Sequence, residues 1–151
     1  MKNSEIGRQI AEINNLVHRL IQKTDGCCEN DEKAALSHSS ACIIGYLSDH
    51  AEENIFQRDL EREFNVRRST MSKVLSQLES KDYIARLDDK SDRRLKKIVL
   101  TQKAELLVDK IKFQRLKLEE VLRGSISDDE LLAFYATCEK IKQNLLKEEN
   151  K

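Results

Sequence analysis

The chain has 151 residues, 36% of them charged and only 5% aromatic, with no proline and four glycines. That length suffices for one domain with a core of its own, and the composition reads mainly helical. The formal net charge is zero, which excludes a global attraction to a polyanion, and no apolar run is long enough to span a bilayer.

Ile6, Ile10, Ile13, Val17 and Leu20 recur at helical spacing, so a first helix with a narrow apolar stripe is expected. It opens without the charged start and apolar run of a secretory signal, so the expected location is cytoplasmic, with no membrane partner. "KTDGCCENDEK" interrupts it with Gly26 and polar residues, a loop. "LSHSSACIIGYLSDH" is a second helix, with Ser37 as its N-cap. After the turn "AEEN", "FQRDLEREFNV" reads as a short third helix with Leu60 and Phe64 four apart.

"NVRRSTMSKVLSQLE" supplies a fourth helix, ending near Lys81. At about 100° per residue, Met71, Val74, Leu75 and Leu78 share one face, and Ser69, Ser72, Lys73, Ser76, Gln77 and Ser80 lie on the other. The outer face has almost no bulk, which suits a helix that sits deep in a major groove about 12 Å wide. Serines there can donate to phosphates or base edges, Gln77 can pair with adenine, and Lys73 can reach guanine or phosphate. Arg67, Arg68, Ser69 and Thr70 lead the helix, where open backbone N–H groups already favour an anion. A short helix, a tight "NVR" connection and then this helix is the helix-turn-helix order. An ordinary amphipathic helix with a solvated outer face is the competing reading.

The period then changes. "YIARLDD" and "RLKKIVL" are short β-prone runs around the polar "DDKSD", a hairpin. Its turn region holds Lys90, Arg93, Arg94, Lys96 and Lys97. Residues 65–100 carry ten basic and five acidic side chains, a local +5 in a chain of zero net charge. A basic hairpin after a helix-turn-helix is the wing of a winged helix, and its tip can place an arginine in a narrow minor groove. Asp92 makes sense as a salt-bridge partner that steadies Arg93 or Arg94. A charged turn that only keeps a sheet edge soluble is the alternative.

Thr101 can cap a fifth helix whose apolar face is Ala104, Leu107, Val108, Ile111, Leu118 and Val121, and Gly124 ends it. Ser127 and Glu130 form a capping box for a last helix with Leu131, Phe134, Tyr135, Cys138, Ile141 and Leu145 at helical spacing. The terminal helices have stripes without enough partners in one chain, so a homodimer is expected over a monomeric bundle. The expected architecture is therefore mainly α with a small β-hairpin wing: a winged helix-turn-helix over 36–101, flanked by dimerisation helices in 1–35 and 102–151.

In "DLEREFNVRRSTMSKVLSQLESKDYIARL" followed by "SDRRLKKIVLT" the chain resembles the MarR family of transcription regulators. The family's wing signature, Asp-x-Arg, five residues, Leu-Thr, is complete here as Asp92, Arg93, Arg94, Leu95 to Val99, Leu100 and Thr101. Leu60, Ser69, Thr70, Leu78, Glu79, Tyr83, Ile84 and Arg86 supply the pattern upstream. The resemblance implies an obligate homodimer on a pseudo-palindromic operator in double-stranded DNA. It also implies a recognition helix at 67–80, Arg94 as the wing-tip arginine, and most often repression relieved by a small aromatic or phenolic effector or by oxidants. The family's usual glycine after the recognition helix is Asp82 here, and aspartate tolerates the left-handed turn required.

Control of binding leaves weaker traces. Cys27 and Cys28 lie in an acidic loop that disfavours a thiolate, and Cys42 and Cys138 sit in apolar contexts that suit small hydrophobes. The four cysteines match no zinc spacing, and in the expected compartment they stay reduced. His18, His38 and His50 are too scattered to promise a metal site, and no cofactor is expected. Tyr46, His38 and Cys42 are only guesses for an effector pocket. No phosphate-cradling glycine loop or nucleophile–base pair is present, so an enzyme is not expected. The rival readings are a thiol- or metal-responsive regulator of the same fold and a helical interaction module without DNA binding.

Overall fold

The computed structural model describes residues 5–25, 36–88 and 95–149. They form α1 (Ile6–Asp25), α2 (His38–Asp49), α3 (Gln57–Glu63), α4 (Arg68–Ser80), β1 (Ile84–Asp88), β2 (Lys96–Leu100), α5 (Gln102–Arg123) and α6 (Asp128–Glu149). The mainly helical architecture with one antiparallel hairpin agrees with the expectation from sequence. Two compact units divide within α5, at Arg115 and Leu116.

The first unit holds the core. Ile43, Ile44 and Leu47 from α2, Leu60 from α3, Met71, Leu75 and Leu78 from α4 and Ile84 and Ile98 from the hairpin are all buried there. Ala104, Val108 and Ile111 from the start of α5 complete it. The hairpin register pairs Ile84 with Leu100 and Asp88 with Lys96. Ahead of α3, Ile55 accepts a hydrogen bond from the Ile98 amide at 2.8 Å, and Phe56 bridges to Lys97. The segment ahead of α3 thus pairs with β2 through an isolated bridge.

Local chemistry sets the ends of these elements. Ser37 caps α2 by accepting from the Ser40 amide at 3.2 Å. Asp59 accepts from the Phe56 amide at 3.0 Å, which satisfies one open donor at the start of α3. The α3–α4 turn depends on Asn65, whose φ of 47° is left-handed. The Val66 amide returns to the Glu61 carbonyl and the Asn65 amide to Arg62, the two bonds of a Schellman ending. The same motif closes α4. Asp82 has φ 59°, the Tyr83 amide reaches the Leu78 carbonyl at 2.9 Å, and the Asp82 amide reaches Glu79 at 3.0 Å. Tyr83 and Leu78 are both buried, which supplies the apolar contact that accompanies this motif.

At the far end of α2, Asp49 receives Lys112 and Arg115 of α5, each at 3.1 Å. These two cations hold its carboxyl below the ordinary carboxylate range. Gly45 lies on the same side of α2, where an added Cβ would stand 3.8 Å from both Arg115 and Ile111.

In the second unit, Gly124 adopts φ 44° after α5. Ser127 and Glu130 form the reciprocal box at the start of α6: the Ser127 amide donates to the carboxylate at 2.9 Å, and the Glu130 amide donates to the hydroxyl at 3.4 Å. Val121, Leu132, Phe134, Tyr135 and Leu145 are exposed, and α6 buries none of its residues. In the first unit, Ile6, Ile10, Ile13 and Leu16 of α1 are likewise exposed. Among the described residues, no helix is long and apolar enough to cross a membrane.

The turn at Asp82 yields a stability test. A left-handed residue carries a steric cost on the order of 1 kcal/mol unless it is glycine or an adaptable Asn or Asp. Asp82→Ala should therefore lower the unfolding free energy by about 1 kcal/mol, and Asp82→Gly should lose nothing. Urea unfolding of the two variants checks this ranking.

Candidate nucleic-acid interface

A helix of 13 residues is marginal in isolation, so α4 depends on what its inner face buries. Met71, Leu75 and Leu78 are each at most 1% exposed, and Val74 packs half-buried at the margin. Each such side chain contributes about 1.5–3 kcal/mol on burial. This stripe turns the rest of the helix outward: Arg68, Ser69, Thr70, Lys73, Ser76, Gln77 and Ser80 are all exposed, as is the N-cap residue Arg67. Ser72 is half-buried instead. It sits about 100° around the helix from Met71, on the flank of the stripe.

No side chain among the described residues caps the N-terminus of α4; Arg67 takes the N-cap position with an extended backbone, φ −61° and ψ 145°. The first turn therefore presents amide N–H groups beside two guanidinium side chains, a geometry that favours a bound anion. Gln57, at the start of α3, lies beside this turn, with its amide nitrogen 3.5 Å from the Arg68 carbonyl and 2.8 Å from Glu61. Ser80 donates back to the Gln77 carbonyl at 2.9 Å, so its hydroxyl is already engaged.

The hairpin follows directly. Arg86 lies 3.3 Å from Glu79 of α4 and braces the strand against the helix. Lys96 pairs with Asp88 across the strands, and Lys97 is half-buried. Arg86 and Lys96 are thus each ion-paired along the hairpin, the Lys96 pair at the end of the strands nearest the turn. The expected wing-tip residues Lys90, Arg93 and Arg94, and the expected salt-bridge residue Asp92, lie outside the described residues, as do Cys27 and Cys28.

Sequence reasoning did not find the contacts behind the helix. Thr101 does cap α5, accepting from the Ala104 amide at 3.3 Å, but its hydroxyl also donates to the Asp82 carbonyl at 2.6 Å. Lys103 donates to the Lys81 carbonyl at 2.7 Å. These partners stand 19 and 22 residues apart, beyond the reach of a periodicity argument. The left-handed Asn65 did leave a local trace, an asparagine between Phe64 and Val66 just where α3 stops.

The other sequence candidates are not gathered into a site. Cys42 Sγ lies 3.5 Å from His38 Nε2, and burial pushes its thiol up, with Arg115 opposing only in part. That is the reverse of what activates a sensing thiol. Tyr46 stacks on His50 at 4.1 Å and meets Phe64 edge-on at 5.8 Å. Among the described residues, no group of three or more His, Cys, Asp or Glu could hold a metal ion. A shallow cavity of about 190 Å³ opens between the end of α2, β2 and α5, lined by Leu47, His50, Glu53, Ile98, Glu105 and Val108. None of Tyr46, His38 and Cys42 lines it.

Residues 36–95 match the family model described as MarR family. The fold resembles that of the transcription regulator MarR from Oenococcus oeni PSU-1, at 23% identity over 92% of this chain and 99% of that one, with a TM-score of 0.78. It also resembles MepR from S. aureus in a DNA complex, at 24% identity over 96% of this chain and 99% of that one, with a TM-score of 0.79. A mutant of S. aureus MepR bound to an oligodeoxyribonucleotide is 26% identical over 91% of this chain and 97% of that one, with a TM-score of 0.56. Residues 36–95 thus carry the MarR family pattern, and the winged helix-turn-helix fold around them is similar to that of the MarR and MepR structures.

Proposed function

We propose that the protein is a homodimeric repressor that binds a pseudo-palindromic operator in double-stranded DNA. The observation that carries this reading is α4 itself. Its apolar stripe is sealed in the core, while its outer face offers only small hydroxyls, Lys73 and Gln77 behind two N-terminal arginines. That combination supplies a slim profile for the major groove, side chains for base edges and cations for phosphate. Arg94, at the expected wing tip, reaches the minor groove in this reading, steadied by Asp92, with Lys90 and Arg93 on the flanking backbone. Ser72 has the smallest part, since it is half-buried. Similarity to an S. aureus protein solved with DNA supports the assignment.

The apolar side chains of α1 and α6 support the dimer. Ile6, Ile10, Ile13 and Leu16 stand exposed along one helix, and Leu132, Phe134, Tyr135 and Leu145 along the other, side chains of the kind that a second copy of the chain would cover. In this reading 1–35 and 102–151 are the dimerisation segments and 36–101 is the DNA-binding domain. Release by a small organic effector, aromatic or phenolic in type, completes the proposal. The raised thiol of Cys42 disfavours that residue as an oxidant sensor.

Two measurements test these assignments. Footprinting on the DNA upstream of the protein's own gene should show two half-sites about one helical turn apart, with affinity falling steeply as salt rises. In the same assay Gln77→Ala should change base preference, and Arg94→Ala should weaken binding about tenfold with thermal stability unchanged. No footprint at low salt would favour an interaction module instead. In sedimentation, the chain should run at twice its 17.5 kDa, and Ile13→Glu should shift it toward the monomer; a wild-type monomer would refute the dimer.

A further inference from the structure

We infer that Lys103 is a positioning residue for DNA recognition: it closes a clasp on the C-terminal end of α4 and thereby sets the angle at which that helix meets DNA. The inference rests on the reading of α4 as the recognition helix.

The last carbonyls of a helix lack intrahelical partners. At the end of α4 the Schellman turn takes the Leu78 and Glu79 carbonyls. Past Ser80, the carbonyls of Lys81, Asp82 and Tyr83 are all taken by the junction of β2 and α5. Lys103 Nζ donates to Lys81 at 2.7 Å, Thr101 Oγ1 donates to Asp82 at 2.6 Å, and the Thr101 amide donates to Tyr83 at 3.1 Å. The Lys103 ammonium also stands 4.7 Å from the centre of the Tyr83 ring, which is 4% exposed. One cation thus meets both a carbonyl at the negative end of the helix dipole and the face of a buried aromatic ring.

The two ends of α4 are held differently. Its N-terminus has no side-chain cap among the described residues, whereas its C-terminus is gripped by three consecutive bonds from a single segment. The Thr101 hydroxyl that holds Asp82 is also the N-cap of α5, so the first turn of α5 and the tail of α4 form one joint. A small rotation at that joint is amplified toward Arg68 and Ser69, thirteen residues of helix away. Lys103 contributes the charged bond of the joint, and it acts through α4.

Operator binding by the full chain tests this. Lys103→Met keeps the aliphatic stem and removes the ammonium. It should weaken operator affinity about three- to tenfold with the slope of log affinity against log salt unchanged, and Lys103→Arg should restore most of the loss. Amide hydrogen exchange without DNA should speed up at Asp82 and Tyr83 in the methionine variant and not in the arginine variant. Unchanged affinity in Lys103→Met overturns the inference, as does failure of arginine to rescue. A salt slope lower by about one also overturns it, because Lys103 would then be a direct phosphate contact. A wild-type chain that binds no operator removes the recognition-helix reading, and this inference with it. That result is distinct from a wild type that binds while the variant binds equally.

Discussion

The fold of the first unit turns on the burial of one face of a 13-residue helix. Helices of this length do not persist alone in water, and α4 has no side-chain cap at its start among the described residues. Its stability comes from sealing Met71, Leu75 and Leu78 against α2, α3, the hairpin and the start of α5. That burial also fixes its rotation about its own axis. Once the stripe faces inward, Ser69, Lys73, Ser76 and Gln77 have no other direction to face. The packing that makes the helix is therefore what presents its polar face to a partner.

Backbone turns and charge refine this arrangement. Two left-handed residues, Asn65 and Asp82, end α3 and α4 by the same pair of returning amide bonds. The first sets the angle between the two helices of the helix-turn-helix, and the second directs the chain into β1. Arg86, paired with Glu79, ties β1 to α4, while Lys96 with Asp88 ties the two strands together. Behind the helix, Thr101 and Lys103 hold the carbonyls of Asp82 and Lys81, just past its end. Asp49, with Lys112 and Arg115, joins the end of α2 to α5 farther along. Helix α5 thus fastens onto the winged core at several points.

Most of this fold was legible in the sequence because the signals are local. The 3.6-residue period located the stripe of α4, Ser37, Thr101 and the Ser127–Glu130 box marked helix starts, and Gly124 marked an end. Asp82 was legible as a left-handed position only through the family resemblance, which puts a glycine there, a place that aspartate tolerates. On the outer face, Ser72 is half-buried on the flank of the stripe, while Ser69, Lys73, Ser76, Gln77 and Ser80 are exposed. The clasp on the end of α4 had no trace in the sequence: a lysine 22 residues from its carbonyl partner is one of many lysines until the chain folds. The complete Asp92–Arg94…Leu100–Thr101 pattern named a wing, and only its strands fall among the described residues.

The central claim is that α4, held from behind, is the surface that meets DNA. Amide hydrogen exchange of the full chain, with and without a duplex of its own upstream DNA, tests it most directly. The account predicts slowed exchange on binding in the first turns of α4, from Arg68 to Lys73, and in the hairpin turn at 89–95, with α6 little changed. Slowing confined to α1 or α6, or a duplex that binds tightly and leaves α4 unchanged, would contradict it.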